Sequence, residues 1–449
     1  MKTHFSGSDG LARFTKHAGT SRASRRSVWL SATLAAVCLS TVIQAATFDV
    51  HLTPRKFTLY DDPYNGNQIK VGGFSGLYPV PGQPSSFYAI TDRGPTTDFV
   101  DGAVTYKTFL VPEFGPHIIT VDLQPYGKAK IRDVRPLTRP GGVPISGLPT
   151  TKPATDVPYD VNLNLLPFDE DSLDAEGITI DPWGNFWVCD EYKPSVAMVA
   201  PNGQVQMRLV PAGTLTGSEV VPTYDVLPAV LAKRRNNRGM EGITAASDGI
   251  LYAVMQRPLN NPNRAAADAN GNARLVAINL HTLLHGGSEP LVRQYLYQMP
   301  PANGSVTVSD LFSTGPGKML VPERFTDKLF EVNVAGATDL TPLENPATGK
   351  LIADTTKTIE QLNPAGLAAN GIVPVSKTVV IDSLTAIDPL LEKVEGVCVV
   401  GNNIVLTYDN DFNVADAGSA PTNPNPNGPL VQLELLGNNL PKIFVVPLP

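Results

Sequence analysis

The stretch DAEGITIDPWGNFWVCDEY, Asp174–Tyr192, places a carboxylate at each open end of two apolar runs joined by a turn. The chain uses this device repeatedly. GGFSGLYPVPGQPSSFYAITDRGP (Gly72–Pro95) carries Ser-Gly, a Pro/Gly turn and Asp92-Arg93. NRGMEGITAASDGILYAVMQRP (Asn237–Pro258) carries Glu241-Gly242, an Asp-Gly turn and Gln256-Arg257. KVEGVCVVGNNIVLTYDNDF (Lys393–Phe412) carries Glu395-Gly396, a Gly-Asn-Asn turn and Asp409-Asn410-Asp411. A weaker copy, VTVSDLFSTGPGKMLVPERF (Val306–Phe325), keeps the turn and ends in Glu323-Arg324. From the leading Ser or Glu to the trailing polar residue the clear copies measure 17, 14, 15 and 14 positions.

Each inner hairpin is followed by a second pair of strand-like runs: HIITVDLQPYGKAKIRDV, SVAMVAPNGQVQMRLV, RLVAINL with LVRQYLY, KLFEVNV and LVQLELL. Two hairpins make a four-stranded unit, and repetition of such a unit is the sequence signature of a β-propeller. Five units are recognisable. The N-terminal runs TFDVHL and KFTLY, set against C-terminal KIFVVPL, raise the expected count to six, with five or seven as alternatives. The 38 Gly and 41 Pro, and the absence of a long capped helical period, agree with an all-β chain of short strands and turns.

In a hairpin the start of one strand lies beside the end of the other. The innermost strands of a propeller line its channel, so the leading and trailing polar residues should gather on one rim. This predicts a ring of Glu176, Asp190, Glu191, Glu241, Glu395, Asp409 and Asp411, with Asp92 and Glu323, interleaved with Arg93, Arg238, Arg257 and Arg324. Crowded carboxylates stay ionised only when arginines or a metal compensate them. A hard divalent cation takes six to eight oxygen ligands. The sequence therefore assigns Glu176, Asp190, Glu241, Glu395, Asp409 and Asp411 to a cation, calcium. Asp92, Arg93, Glu191, Arg257, Glu323 and Arg324 are assigned to catalysis, with the arginines gripping an anionic group as a fork. The competing reading is a set of ion pairs that only ties the units together.

At these residues the chain resembles the phytase-like esterase family, marked by the "esterase-like activity of phytase" domain. The shared marks are FSGL…TDRG, DAEGITID…FWVCDEY, NRGMEGITAASDGILYAVMQ, PERFTDKLFEV and VEGVCVV…YDNDF, spanning about Gly72 to Phe412. The resemblance implies a β-propeller and ester hydrolysis. The chain lacks the aspartate-dense motif of calcium-dependent β-propeller phytases, so phytate is not implied as the substrate.

The N-terminus reads separately. Arg25 and Arg26 precede SVWLSATLAAVCLSTVIQA, the basic, apolar, small-residue order of an export signal, with a twin-arginine cast. Residues 1–45 are therefore expected to be removed, leaving 46–449 as a single propeller domain in the periplasm or outside the cell, with no stable membrane span. Removal takes six of the 35 basic residues and one of the 42 acidic ones, leaving 29 against 41. Such a surface disfavours nucleic acid. The expected partner is a small anionic ester met by a monomer, and the alternative function is a non-catalytic, ligand- or protein-binding propeller. Cys189 and Cys398 remain, read as buried thiols with one bridge possible.

Other motifs fall short of chemistry. GFSGL around Ser75 lacks the second glycine of a nucleophile elbow. HTLLH (His281, His285) lacks the glutamate of a zinc protease and reads as a short surface helix stopped by Gly286. DANGN (Asp268–Asn272) reads as a polar turn, and PTNPNPNGP as a loop beside Asp409–Asp411.

Overall fold

The structure, a computed structural model, describes residues 45–52, 57–301, 306–419 and 428–448; all but the last residue of the expected leader lies outside them, as does most of PTNPNPNGP. The described chain is all-β, built from the inner and outer hairpins read above. Phe74–Pro79, Ser86–Thr91, His117–Gln124 and Lys128–Pro136 pair antiparallel in chain order. Ala175–Ile180, Phe186–Asp190, Ser195–Val199 and Val205–Pro211 repeat the order, with Thr223–Leu227 added parallel at the outer edge. Met240–Ala245, Ile250–Met255, Asn272–Asn279 and Val292–Gln298 repeat it again. In the next sheet Lys318–Arg324 pairs with Phe312–Gly315 on one side and Lys328–Asn333 on the other, and Ser376–Ile381 forms the edge. The last begins with Val394–Val400, Asn403–Tyr408 and Lys442–Pro447.

The fourth strand of that last sheet comes from the other end of the chain. Ala46–His51 runs antiparallel to Lys442–Pro447 and parallel to Lys128–Pro136, joining the first and last sheets into one eight-stranded sheet. The expected pairing of TFDVHL with KIFVVPL is thus present. KFTLY does not join them: Thr58–Asp61 pairs with Gln68–Lys70 in a separate two-stranded sheet. LVQLELL is not a strand either, because Lys442–Pro447 already occupies the outer slot; Leu435 makes only an isolated bridge to Val414.

The sheets pack face to face, which is why strands such as Phe186–Asp190 are buried throughout and do not alternate. Ile90, Ile118, Ile178, Val188 and Ala197 fill the space between the first sheet and the second. Trp187, Val196, Ile243 and Val276 bridge the second and third, and Val254, Leu275, Leu311 and Val321 the third and fourth. Leu320, Leu329, Val397 and Phe444 join the fourth and fifth. Phe74, Leu77, Ala89, Cys398 and Val405 bring the fifth against the first. Turn chemistry fixes the registers. In DPWGN the Asp181 carboxylate accepts the Trp183 and Asn185 backbone N–H groups at 2.9 Å each and the Trp187 indole N–H at 3.0 Å, an Asx turn that also anchors a core ring.

The glycines of the repeated pairs serve close approach of the inner strands. A methyl group at Gly76 would lie 2.8 Å from Gly177 Cα, one at Gly177 2.9 Å from Ile243 N, one at Gly242 2.5 Å from Asp310 C, and one at Gly396 3.0 Å from Leu77 N. In the weak copy this position is Asp310, fully buried. Its carboxylate accepts the N–H of Leu311 at 2.8 Å and of Val397 at 2.9 Å, and that of Leu77 as well. One side chain thus ties the fourth inner strand to the fifth and the first.

Two smaller expectations resolve differently. Asp268–Asn270 is not a turn but the end of helix Arg264–Asn270, capped by Asn263 and closed by Gly271 at φ +68°. His281 and His285 do lie on a short helix, Leu280–His285, closed by Gly286. Cys189 and Cys398 are buried and unbridged. No described helix is long and apolar enough to cross a membrane.

Candidate functional site

The ends of the inner hairpins bring three carboxylates together: Asp174, Glu176 and Glu191 each offer an oxygen, all within 4.8 Å of one another. Asp174, which the sequence pattern does not single out, sits just outside the strand that Ala175 begins and Glu176 continues. Its backbone O accepts the Glu191 N–H at 2.9 Å, so the two ends of the hairpin are locked side by side. Asp174 is buried and held by Arg93, which donates its backbone N–H at 3.2 Å and a guanidinium N–H at 2.5 Å. Arg93 also donates to Asn237 at 2.6 Å and lies over the Tyr192 ring. Glu191, buried, accepts from Arg238 at 3.3 Å and lies 3.9 Å from Arg93. Glu176 has no hydrogen-bond donor among the described residues.

The electrostatics follow from this crowding. Burial, then Asp174, push the Glu191 carboxyl up to about 8 against the pull of Arg238 and Arg93. Burial followed by Asp174, Glu241 and Glu191 raises Glu176 well above the usual carboxylate range. Glu241 rises by burial, Glu191 and Glu395. Asp92 rises by burial, Asp409 and Asp174.

Glu241 and Glu395 face the same rim from the third and fifth sheets. Glu241 accepts from Gln256 through one oxygen, and Glu395 is bound to Arg324 through one oxygen. The second oxygen of each is buried without a partner. Asp409 and Asp411 flank Lys393, which the sequence did not flag; Lys393 lies 2.8 Å from Asp409 and closer still to Asp411. Burial pushes Asp409 up, but Lys393 and the hydrogen bonds from Lys393 and Asp411 together lower it, while burial and then Asp409 raise Asp411 to about 7. The chain passes Asp411, Phe412 and Asn413 at φ +45°, +53° and +62°, a left-handed turn of three non-glycine residues. Beside it Asp92, Arg93, Lys107 and Asp411 line a cavity of about 300 Å³.

Two expected rim residues are turned into their own sheets. Asp190 binds Arg208 and accepts from Asp174 N and Tyr192 N at 3.0 Å, Lys193 N at 3.2 Å and Ser195 Oγ at 3.0 Å. Every lone pair is committed, and the partner Arg208 lies two strands away, beyond reach of a pattern confined to the hairpin. Glu323 accepts from Tyr297 Oη at 2.7 Å and binds Lys377 in the same way. Neither faces the carboxylate cluster. Arg257 makes no ion pair among the described residues; burial, then Arg238 and Arg235, lower it to about 10. Arg93 and Arg324 are already compensated, by Asp174 and Glu395. The rim is therefore part ion pairs, as the competing reading expected, and part unmatched carboxylate.

The unmatched part is an oxygen-only donor set, the chemistry that a hard cation takes and that soft thiolate-seeking metals do not. Its members are Glu176 in the Asp174–Glu176–Glu191 cluster and, apart from it, the free oxygens of Glu241 and Glu395.

Among known proteins, the chain is 32% identical over 124 residues to an uncharacterised secreted protein of Arthroderma benhamiae, a match covering 24% of each. It thus spans about a quarter of that relative's length. Among solved structures it resembles a putative glucose dehydrogenase of Thermus thermophilus (11% identity, 85% and 86% of the two chains, TM-score 0.33). It also resembles the periplasmic gluconolactonase of Pseudomonas aeruginosa (11% identity, 86% and 94%, TM-score 0.31). A family model, Phytase-like, described as "esterase-like activity of phytase", matches residues 69–412. That span holds the hairpins, the carboxylates and the arginines described above, and the chain belongs to this phytase-like family.

Proposed function

We propose that this protein is an exported hydrolase of phosphate or related esters, in which a carboxylate rim at the mouth of a five-bladed propeller holds calcium. The observation that carries the reading is the Asp174–Glu176–Glu191 cluster, with Glu176 lacking any donor. Glu176 and Glu191 would ligate the ion with Asp174 behind them. A bound divalent cation supplies a Lewis acid for the ester oxygen and a site for a water of lowered pKa. Asp92, whose carboxyl is pushed up by burial, Asp409 and Asp174, would serve as the group that passes a proton to the leaving oxygen. Arg93 and Lys107, on the same cavity, would draw the anionic group in. Five blades follow from reading each inner hairpin as one blade and Ala46–His51 as the last strand of the fifth. Export to the periplasm or beyond is supported by the leader-like residues 1–45 and by the secreted relative.

A second reading is a non-catalytic binding propeller. It is favoured by the pairing of Arg93 with Asp174 and of Arg324 with Glu395, which leaves little free positive charge for an anion. Turnover of p-nitrophenyl phosphate, a phosphodiester and an acyl ester, with calcium and with chelator, separates the two. Calcium-dependent hydrolysis that falls at least 100-fold in Asp92→Asn is expected. Equal rates in wild type and Asp92→Asn, or no turnover of any ester, would remove the catalytic reading.

A further inference from the structure

Five buried side-chain oxygens in one sector of the rim have no hydrogen-bond partner: Glu241 Oε2, Gln256 Oε1, Thr307 Oγ1, Ser309 Oγ and Glu395 Oε2. All five residues are at least nine-tenths buried. Such an accumulation is abnormal, because a buried polar atom left unpaired costs about 1–3 kcal/mol. Their neighbourhood is fixed by short links. Gln256 donates its amide N–H to the other oxygen of Glu241. The Val308 N–H donates to the Gln256 backbone O at 3.2 Å, placing Thr307 and Ser309 beside it. Thr307 pairs with Arg324 in the sheet, and Arg324 binds the other oxygen of Glu395.

We infer that these oxygens form a second cation position, distinct from the Asp174–Glu176–Glu191 cluster and lying between the third and fifth inner hairpins. Two carboxylates, one amide carbonyl and two hydroxyls are a hard, oxygen-only set of the kind calcium takes. Glu241 and Glu395 bring two carboxylates, and Arg324 faces Glu395, with Arg238 acting on both carboxylates. Among these five residues the orphans are all oxygens, two of them hydroxyls that also carry a proton, and Arg257 Nε and Arg324 Nε are orphan donors beside them. The repeat explains the difference between the sectors. Where three copies place Glu before the glycine, the weak copy places Ser309, as the first copy places Ser75, so a neutral ligand stands where a third carboxylate could.

The inference extends the cation reading proposed above, and one experiment separates the two. The full mature protein, stripped with chelator and dialysed, is titrated with calcium by calorimetry. Wild type should bind two ions. Ser309→Ala, which removes one hydroxyl and leaves every charge, should weaken one of them at least tenfold and leave the other. Glu395→Gln should do the same more severely; should loss of the Arg324 partner unfold it, Ser309→Ala with Thr307→Val suffices. Glu176→Gln should affect the other ion only. A single ion lost in Glu176→Gln and untouched by Ser309→Ala would overturn the second position and keep the first. A single ion lost in Ser309→Ala and kept in Glu176→Gln would do the reverse. No calcium uptake by wild type would overturn both.

Discussion

Asp190 offers a sharp test of how the rim divides between structure and chemistry. Asp190→Asn keeps the shape but removes the charge. Its amide nitrogen must then face donors: on Oδ2 these are Lys193 N, Ser195 Oγ and Arg208. Arg208, 2% exposed, is left with a buried charge and no carboxylate. Breaking a buried pair from one side costs about 3–5 kcal/mol. For roughly 400 ordered residues the unfolding entropy is about 0.8 kcal/mol per kelvin, so 4 kcal/mol lowers Tm by about 5 °C. Thermal unfolding of wild type and Asp190→Asn, each in chelator and in saturating calcium, reads the result. The drop should appear in both conditions, with the calcium-dependent increment retained. An unchanged Tm in chelator together with a lost calcium increment would refute the structural assignment and return Asp190 to the cation.

Glu191 predicts the pH response of the chelated protein. Its folded pKa of about 8 lies above the usual range, so between about pH 4.5 and 8 the folded state keeps a proton that the unfolded state has released. Stability from this group is therefore full below that window and falls as pH rises through it. Tm measured from pH 5 to 9 should decline less in Glu191→Gln than in wild type; identical slopes would contradict the assignment. Gly242→Ala should destabilise by at least about 1–3 kcal/mol, since the new methyl meets backbone at 2.5 Å, whereas Gly315→Ala, with nothing within 4 Å, should stay within about 0.5 kcal/mol in denaturant unfolding.

What could be read from sequence was whatever repeats locally. The hairpins, their turns and the gathering of Glu176, Glu191, Glu241 and Glu395 follow from strand pairing and from equivalent places in the copies. Asp190 and Glu323 occupy the same places, yet their direction depends on Arg208 and Lys377, which come from later strands of their sheets. Lys393 precedes its hairpin and was invisible for the opposite reason, since a lone lysine before an apolar run signals nothing until Asp409 and Asp411 fold over it. Asp174 lay inside the quoted motif and was passed over because the pattern weighed only the residue before glycine. The pairing of Ala46–His51 with Lys442–Pro447 was legible, whereas its parallel pairing with Lys128–Pro136 was not, because no periodicity marks it.

Asp310 shows what the copies have lost by diverging. The first, second, third and fifth inner strands carry glycine at one level, and the space they vacate is taken by a single carboxylate from the fourth. The arrangement works only because the members differ: five glycines would leave the middle hollow, and five aspartates would not fit. A designer averaging the repeats into a consensus would write glycine at position 310, improving the symmetry and pulling out the stopper. The sequence is therefore better regarded as one composition in five unequal voices than as a motif played five times, and segments exchanged between copies should not be tolerated.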